Sequence, residues 1–328
     1  MPTPLDILAQ ARGYMVSRVI LTAAELDLFT RLASQPATAD EIAAELGLDR
    51  RGLTRLLDCL ITQDLLEKKH GRYRVTKDGA HLASGHRPSI LPMVQHLGTI
   101  WDNWSQLTEC VRSGGNPRRR VVSGSTSDQD TRAFIGAMHV AARPTAGAIA
   151  KACDLRRFSQ LLDIGGGSGA YTIAFLKKRP SLRALLFDLP SVIRIAEDNV
   201  VHAGLRDRVA FVAGDFYKDK LPSGCDLALL SAIIHQNSPR QNLDLYAKVH
   251  RALKPGGVLL IRDHVMDESR TKPPDGALFA LNMLVNTPGG DTYTFTEIAD
   301  TLQRAGFVST RLLRSGERMD CVVEAKKR

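Results

Sequence analysis

At 328 residues, with 44% hydrophobic, 24% charged and only 5% aromatic residues, the chain suits a globular protein of two ordinary domains. No apolar run approaches the roughly 20 residues of a membrane helix, and the opening Met-Pro-Thr-Pro-Leu-Asp lacks a signal-peptide pattern, so no membrane association and a cytoplasmic location are expected. Five scattered cysteines without a C-x-x-C pair and nine histidines without ligand spacing argue against a disulfide framework and a metal site, while the net charge of +9 leaves nucleic acid, an anionic ligand or a solvated basic face.

Residues 5–31 carry apolar side chains at helical spacing, predicting one or two opening helices. Thr38, followed three residues later by Glu41, is a capping box for a helix that ends near Gly47. Asp49 starts another, with Leu53, Leu56, Leu57 and Leu60 on one face. Residues 65–75 alternate around Gly71, as a two-stranded wing would. Helix, turn, helix and wing predict a winged helix. That scaffold either reads DNA, here with Arg50, Arg51, Thr54 and Arg55, or serves only for dimerisation. Asp58 and Asp64 weigh against phosphate contact.

Residues 90–110 read as helical, with Trp101 and Trp104 suited to a core or an interface. Residues 113–130, rich in Gly, Ser and Arg and holding the Arg118-Arg119-Arg120 cluster, read as a linker or flexible loop. A helix over 131–152, interrupted near Pro144, leads into the second domain.

From residue 160 strands alternate with helices. The predicted strands are 161–164, 184–187, 209–213, 225–231 and 258–261, which implies an α/β, doubly wound, mainly parallel sheet that binds ligands at the carboxyl ends of its strands. The first runs into Gly165-Gly166-Gly167-Ser168-Gly169. This loop lets backbone approach a ligand and presents free N–H groups at the following helix, and by itself it also fits NAD. Asp163 is placed to organise the loop and to accept from a ligand ammonium. Asp188 ends the second strand, where it can take both hydroxyls of a ribose. Asp215 and Phe216 follow the third and offer an acceptor for an exocyclic amine and a ring against a purine. A nucleoside joined to an amino acid uses all three, whereas a dinucleotide leaves Asp215-Phe216 without an obvious partner.

Asp-x-Gly-Gly-Gly-x-Gly, Phe187-Asp188-Leu189-Pro190, Gly214-Asp215-Phe216 and Leu253-Lys254-Pro255-Gly256-Gly257 occur in this order. With the late Pro288-Gly289-Gly290, they make nearly the whole chain resemble the S-adenosylmethionine-dependent O-methyltransferases of plant phenolic and bacterial small-molecule pathways. The resemblance implies a winged-helix-like dimerisation domain over 1–112, a linker loop and connecting helix over 113–155, and a Rossmann-like methyltransferase domain over 156–328. It implies a homodimer formed through the N-terminal domain, a small-molecule acceptor rather than nucleic acid, and S-adenosylmethionine as cofactor. Asp163, Gly165, Gly167, Asp188, Leu189, Asp215, Phe216 and Ser231 are its expected contacts. His235 is the expected general base with Asp263 as its orienter, and Met138, His264, Met283 and Asn286 are expected in the acceptor pocket.

The chain also departs from the family pattern. Gln236-Asn237 stands where the family has Asp-Trp, and Thr292 stands where a second acidic partner is usual. His235 as an ordinary strand-end histidine, a cofactor-sensing DNA-binding regulator, and other S-adenosylmethionine-dependent chemistry on the same fold are the rival readings. Arg262 is a candidate to meet an anionic substrate.

Overall fold

The computed structural model describes residues 2–121 and 128–328, and part of the predicted linker, 122–127, lies outside the described residues. The chain divides into two compact units, Met1–Thr99 and Ile100–Arg328, a coarser division than the one at 112 and 155 read from sequence.

The first unit holds α1 (Pro4–Glu25), α2 (Leu28–Ser34), α3 (Ala39–Leu46), α4 (Arg50–Thr62), the antiparallel pair β1 (Leu66–Lys69) and β2 (Arg72–Val75), and α5 (Leu91–Thr99). The expected local signals are in place. Thr38 and Glu41 cap α3 reciprocally, Gly47 closes it with φ 65°, and the Asp49 carboxylate accepts the Gly52 N–H at 2.7 Å to start α4. Leu53, Leu57 and Leu60, at helical spacing on α4, enter a core with Leu28, Phe29, Leu32, Ile42, Leu66 and Tyr73. Asp58 has a structural partner here: the Tyr73 hydroxyl donates to it at 2.7 Å, and Lys68 pairs with it at 3.2 Å.

The second unit opens with α6 (Trp101–Trp104), α7 (Leu107–Ser113), α8 (Asp128–Ala142) and α9 (Ala146–Ala152). The first stretch of the predicted loop is anchored rather than free. The Asn116 amide donates to Val285 O at 3.0 Å, and Asn103 both donates to Arg120 O and accepts from Arg120 N at 2.9 Å. Then come β3 (Gln160–Ile164), α10 (Ala170–Lys178), β4 (Arg183–Asp188), α11 (Pro190–His202), β5 (Val209–Ala213), β6 (Cys225–Ser231), α12 (Pro239–Ala252) and β7 (Leu253–Asp263). The short parallel pair β8 (Val265–Met266) and β9 (Tyr293–Thr294) flanks α13 (Pro274–Asn286), and α14 (Phe295–Arg304), β10 (Phe307–Arg314) and β11 (Cys321–Lys327) end the chain.

The seven-stranded sheet has the order β10-β11-β7-β6-β3-β4-β5, parallel from β7 to β5, with β11 antiparallel to both of its neighbours. Period-two alternation splits its side chains between two cores. Leu161, Leu227, Leu229, Val258 and Leu260 pack with α9, α10 and α11, whereas Leu162, Ile164, Leu230, Leu259 and Ile261 pack with α12 and α14. These strands are buried on both faces, which is why they read as unbroken apolar runs. The chain steps outward from β3 to β4 and β5, then returns to the other side of β3 with β6. That reversal opens a cleft at the carboxyl ends of β3 and β6.

Candidate active site

Every strand of the parallel set delivers a polar group to this end of the sheet. After β3 the backbone turns through Gly165, φ 68°, where a Cβ would come within 2.7 Å of Ile233 Cδ1. Only glycine combines that conformation with so close a contact. The Gly165 N–H donates to Phe187 O at 2.8 Å, tying the loop to β4.

Asp163, 1% exposed, accepts the Thr172 hydroxyl at 2.6 Å and so braces the loop against α10. Burial, with the nearby Asp188 carboxylate adding to it, pushes its pKa up to about 6. Asp188 accepts the Gly167 N–H at 2.8 Å and the Leu189 N–H at 2.7 Å, one on each oxygen. Burial raises its pKa in spite of both donors. Past β5, Asp215 pairs with Lys218 at 3.0 Å and accepts the Tyr217 N–H at 2.9 Å. Partial burial works to raise its pKa, but these partners prevail and hold it below the ordinary value. Lys248 on α12 donates to Phe216 O, Tyr217 O and Asp219 O at 2.8, 2.7 and 3.1 Å, stapling this loop in place.

The short helical turn after β6 brings His235 to the end of β7. His235 is 9% exposed, and its Nδ1 lies 2.9 Å from both oxygens of the fully buried Asp263. Burial works against the Asp263 charge, but the His235 ring and the N–H of His264, at 2.8 Å, outweigh it and keep the carboxyl below its ordinary pKa. An ionised carboxylate only accepts, so Nδ1 carries a proton, and in the neutral ring Nε2 is the acceptor nitrogen. The substituted residues hold this turn. Asn237, fully buried, donates to Asn242 at 2.9 Å and accepts from the Tyr217 hydroxyl, while its carbonyl accepts from the Tyr293 hydroxyl. Asn242 donates in turn to Ile234 O at 2.9 Å. Gly290 of the Pro-Gly-Gly element also serves it: a Cβ there would lie 2.4 Å from His235 O. Thr292 is buried and donates to Gly276 O at 3.3 Å, so no acid stands at that position.

Phe279 on α13, missed in the sequence, touches both histidines, with ring centroids 4.9 Å from His235 and 5.0 Å from His264. It lies four and seven residues before Met283 and Asn286, a helical spacing that could have found it. His264 is 5% exposed; burial lowers its pKa, and its Nδ1 has no partner among the described residues. Met283 is buried, and Met138 is half-buried on α8. Asn286 is engaged, accepting from Asn103 at 2.8 Å and donating to Asn282 at 2.9 Å, and the Trp104 indole donates to Asn282 at 2.9 Å. His139, also missed, meets Ser168 Oγ at 2.9 Å and ties α8 to the glycine loop. Ser231 Oγ is enclosed and has no partner among the described residues. A groove of about 610 Å³ lined by Arg183, Glu197, Arg206 and Val209 lies at the opposite ends of the strands, away from all of these groups.

A family model described as an O-methyltransferase domain matches residues 104–308, and one described as an O-methyltransferase dimerisation domain matches residues 8–84. The chain is 32% identical to chicken (Gallus gallus) acetylserotonin O-methyltransferase over 98% of its own length and 97% of that protein's. It is also 32% identical to the tetracenomycin polyketide synthesis 8-O-methyl transferase of Streptomyces glaucescens, over 94% and 92%. In structure it resembles human N-acetylserotonin methyltransferase in complex with S-adenosylmethionine, with TM-score 0.85, 28% identity, and coverage of 100% of this chain and 98% of that one.

Proposed function

From the premise that this chain belongs to the O-methyltransferase family, we propose that it moves the methyl group of S-adenosylmethionine to a hydroxyl oxygen of a small-molecule acceptor, with His235 as general base. The observation that carries this reading is the His235–Asp263 pair at the carboxyl end of the sheet, which leaves Nε2 free to accept a proton. Asp263 orients the ring and favours the cation that forms on it. A base so placed contributes roughly a hundred- to ten-thousand-fold, and holding the reactants in line contributes more.

The cofactor supplies an electrophilic methyl on a sulfonium. Asp163 braces the loop that receives it, and Gly165, Gly167, Asp188, Leu189, Asp215, Phe216 and Ser231 hold it. Three features fit an adenosyl amino acid: both Asp188 oxygens keep acceptor capacity, the nearest atom to a Cβ on Gly167 would be 4.0 Å away, and Ser231 Oγ awaits a partner. Met138, His264 and Met283 line the acceptor side, while Asn286 shapes it through Asn103 and Asn282. The enzyme works as a cytoplasmic homodimer through its winged-helix-like first unit. The matched dimerisation domain and the exposed Leu5, Leu8, Tyr14 and Met15 of α1 support that assembly.

Calorimetric titration with S-adenosylmethionine, S-adenosylhomocysteine and NAD tests the reading first. The two adenosyl ligands bind and NAD does not, and Asp188→Ala weakens both. In a screen of phenolic acceptors His235→Ala then loses about a hundredfold or more in kcat while binding S-adenosylhomocysteine as before. A folded dimer that binds neither adenosyl ligand would sink the proposal.

A further inference from the structure

One charged side chain beside the cleft has no use in the scheme above. Arg262 precedes Asp263 on β7, and strand alternation sends the two to opposite faces of the sheet. Asp263 turns to His235. Arg262 follows Val258 and Leu260 toward the layer of α9 and α10, where its guanidinium carbon lies 5.3 Å from the centroid of the Tyr171 ring. Arg262 is 7% exposed. Its guanidinium makes no hydrogen bond or ion pair among the described residues, and Nε is wholly enclosed without a partner. Ser231, its register partner on β6, faces the same side, and its hydroxyl is enclosed and unpaired as well.

A guanidinium keeps its charge at any working pH, and burying it unpaired is costly unless an anion or several acceptors meet it. Among the described residues none makes a hydrogen bond or ion pair with the Arg262 guanidinium, and the one anion whose charge it feels, Asp263, does not contact it. The Asp263 carboxylate is on the opposite face and is taken up by His235 and the His264 N–H. Asp163, on the same face as Arg262 but two strands away, is bound by Thr172. The Tyr171 hydroxyl is turned to Thr145 Oγ1 at 3.0 Å, so only the ring face is presented, a partial compensation. Two adjacent strands thus end in an unpaired cationic fork and an unpaired hydroxyl at the very edge where the cleft opens.

We propose that Arg262, assisted by Ser231, is a carboxylate-binding site of this cleft, the guanidinium being neutralised by an acid group that a ligand brings in. The inference rests on the adenosylmethionine reading above. Two ligands can carry the acid: the amino-acid end of the cofactor, or an acidic acceptor.

The test is calorimetry on the full-length protein and on Arg262→Met and Arg262→Lys. The probes are S-adenosylhomocysteine, 5′-methylthioadenosine (which lacks the amino-acid end), and 4-hydroxybenzoate and 4-hydroxybenzamide titrated into the S-adenosylhomocysteine complex. If the cofactor's carboxylate is the partner, Arg262→Met binds S-adenosylhomocysteine roughly ten- to a hundredfold more weakly and methylthioadenosine unchanged, with Arg262→Lys between. If the acceptor's is, S-adenosylhomocysteine binding is unchanged and hydroxybenzoate binding is lost, while the amide is unaffected. Replacing an unpaired buried charge by an apolar side chain of similar length also leaves the ligand-free melting temperature equal or higher. Binding of both carboxylates as in the wild type overturns the proposal, whether or not hydroxybenzoate binds at all, and so does an equal loss for the probes that lack a carboxylate. A wild-type protein that fails to bind S-adenosylhomocysteine, with Asp188→Ala as the reference for a damaged site, indicts the cofactor reading instead.

Discussion

At the scale of single residues, the two buried aspartates of the site have opposite titration behaviour for a physical reason. Asp263 is met by an imidazole and a backbone N–H; Asp163 is met by one hydroxyl and a neighbouring carboxylate. Because the folded protein holds the Asp163 proton up to about pH 6, it binds more protons than the unfolded chain between the ordinary carboxylate pKa of 3.8 and about 6. Its contribution is therefore fully present below the ordinary value and is lost as pH rises through about 6. Asp163→Asn keeps an acceptor for Thr172 and removes the titration. Relative to the wild type, ligand-free Asp163→Asn gains stability between pH 4 and pH 7, by about 2–3 kcal/mol at most. Urea unfolding at the two pH values checks this, and a pH-independent difference would contradict it. Asp263 has the reverse sign, contributing above the ordinary carboxylate value and losing that contribution as acid protonates it.

At the scale of elements, the turn between β6 and α12 shows how a departure from a family pattern is absorbed. Asn237 stands where a tryptophan is usual, and it forms a hydrogen-bonded knot with the buried Asn242 and Tyr293 and the more exposed Tyr217. The knot satisfies backbone carbonyls of Ile234 and Asn237, on either side of His235, and so holds the turn that carries it. Asn237→Ala leaves the buried Asn242 side-chain oxygen without its donor and takes one of two partners from the Tyr217 hydroxyl, which keeps Gln236. The unpaired oxygen is expected to cost about 1–3 kcal/mol, and kcat is expected to fall more than KM rises, because the turn that carries His235 loses a support. Denaturation midpoints and steady-state kinetics measure both; unchanged kcat in a destabilised variant would show that the knot does not position His235. The loop at Asn116–Arg120 is a comparable case. Its composition reads as flexible, yet Asn103 and Asn116 tie it down, because side-chain amides supply the backbone partners that secondary structure does not.

At the scale of the whole molecule, the net charge of +9 and the helix–turn–helix of the first unit invite a nucleic-acid reading. Local pairing argues the other way. Arg50 pairs with Asp40, Arg72 with Glu41, Arg74 with Glu67 and Arg31 with Glu45, so much of that unit's positive charge is already met by carboxylates. No steep salt dependence of binding to duplex DNA is expected from it. The exposed apolar residues of α1 suit a second copy of the chain better. Leu8→Asp with Met15→Asp is expected to convert dimer to monomer in sedimentation velocity, while a persistent dimer would move the interface elsewhere.

The sequence by itself determined the elements and the chemistry at their ends. Short apolar runs placed the five parallel strands, the capping box at Thr38 and the cap at Asp49 placed two of the helices, and a glycine or an acidic residue after four of the strands, with His235 after the other, marked the strand ends, because those signals depend on neighbours a few residues apart. It did not reveal β10 or β11: β10 is an edge strand with several exposed and charged positions, and no clean alternation announces it. Only the tertiary structure decided that Thr172 braces Asp163, that Phe279 joins His235 to His264, that Asn237 bonds Asn242 and Tyr293, and that Arg262 is buried with no hydrogen-bond or ion-pair partner among the described residues. Most of these relations link separate elements, and burial without a partner is a property of the packed whole. Burial and hydrogen bonding across such distances leave no spacing in the chain to read, because they exist only once the sheet has brought its strand ends together.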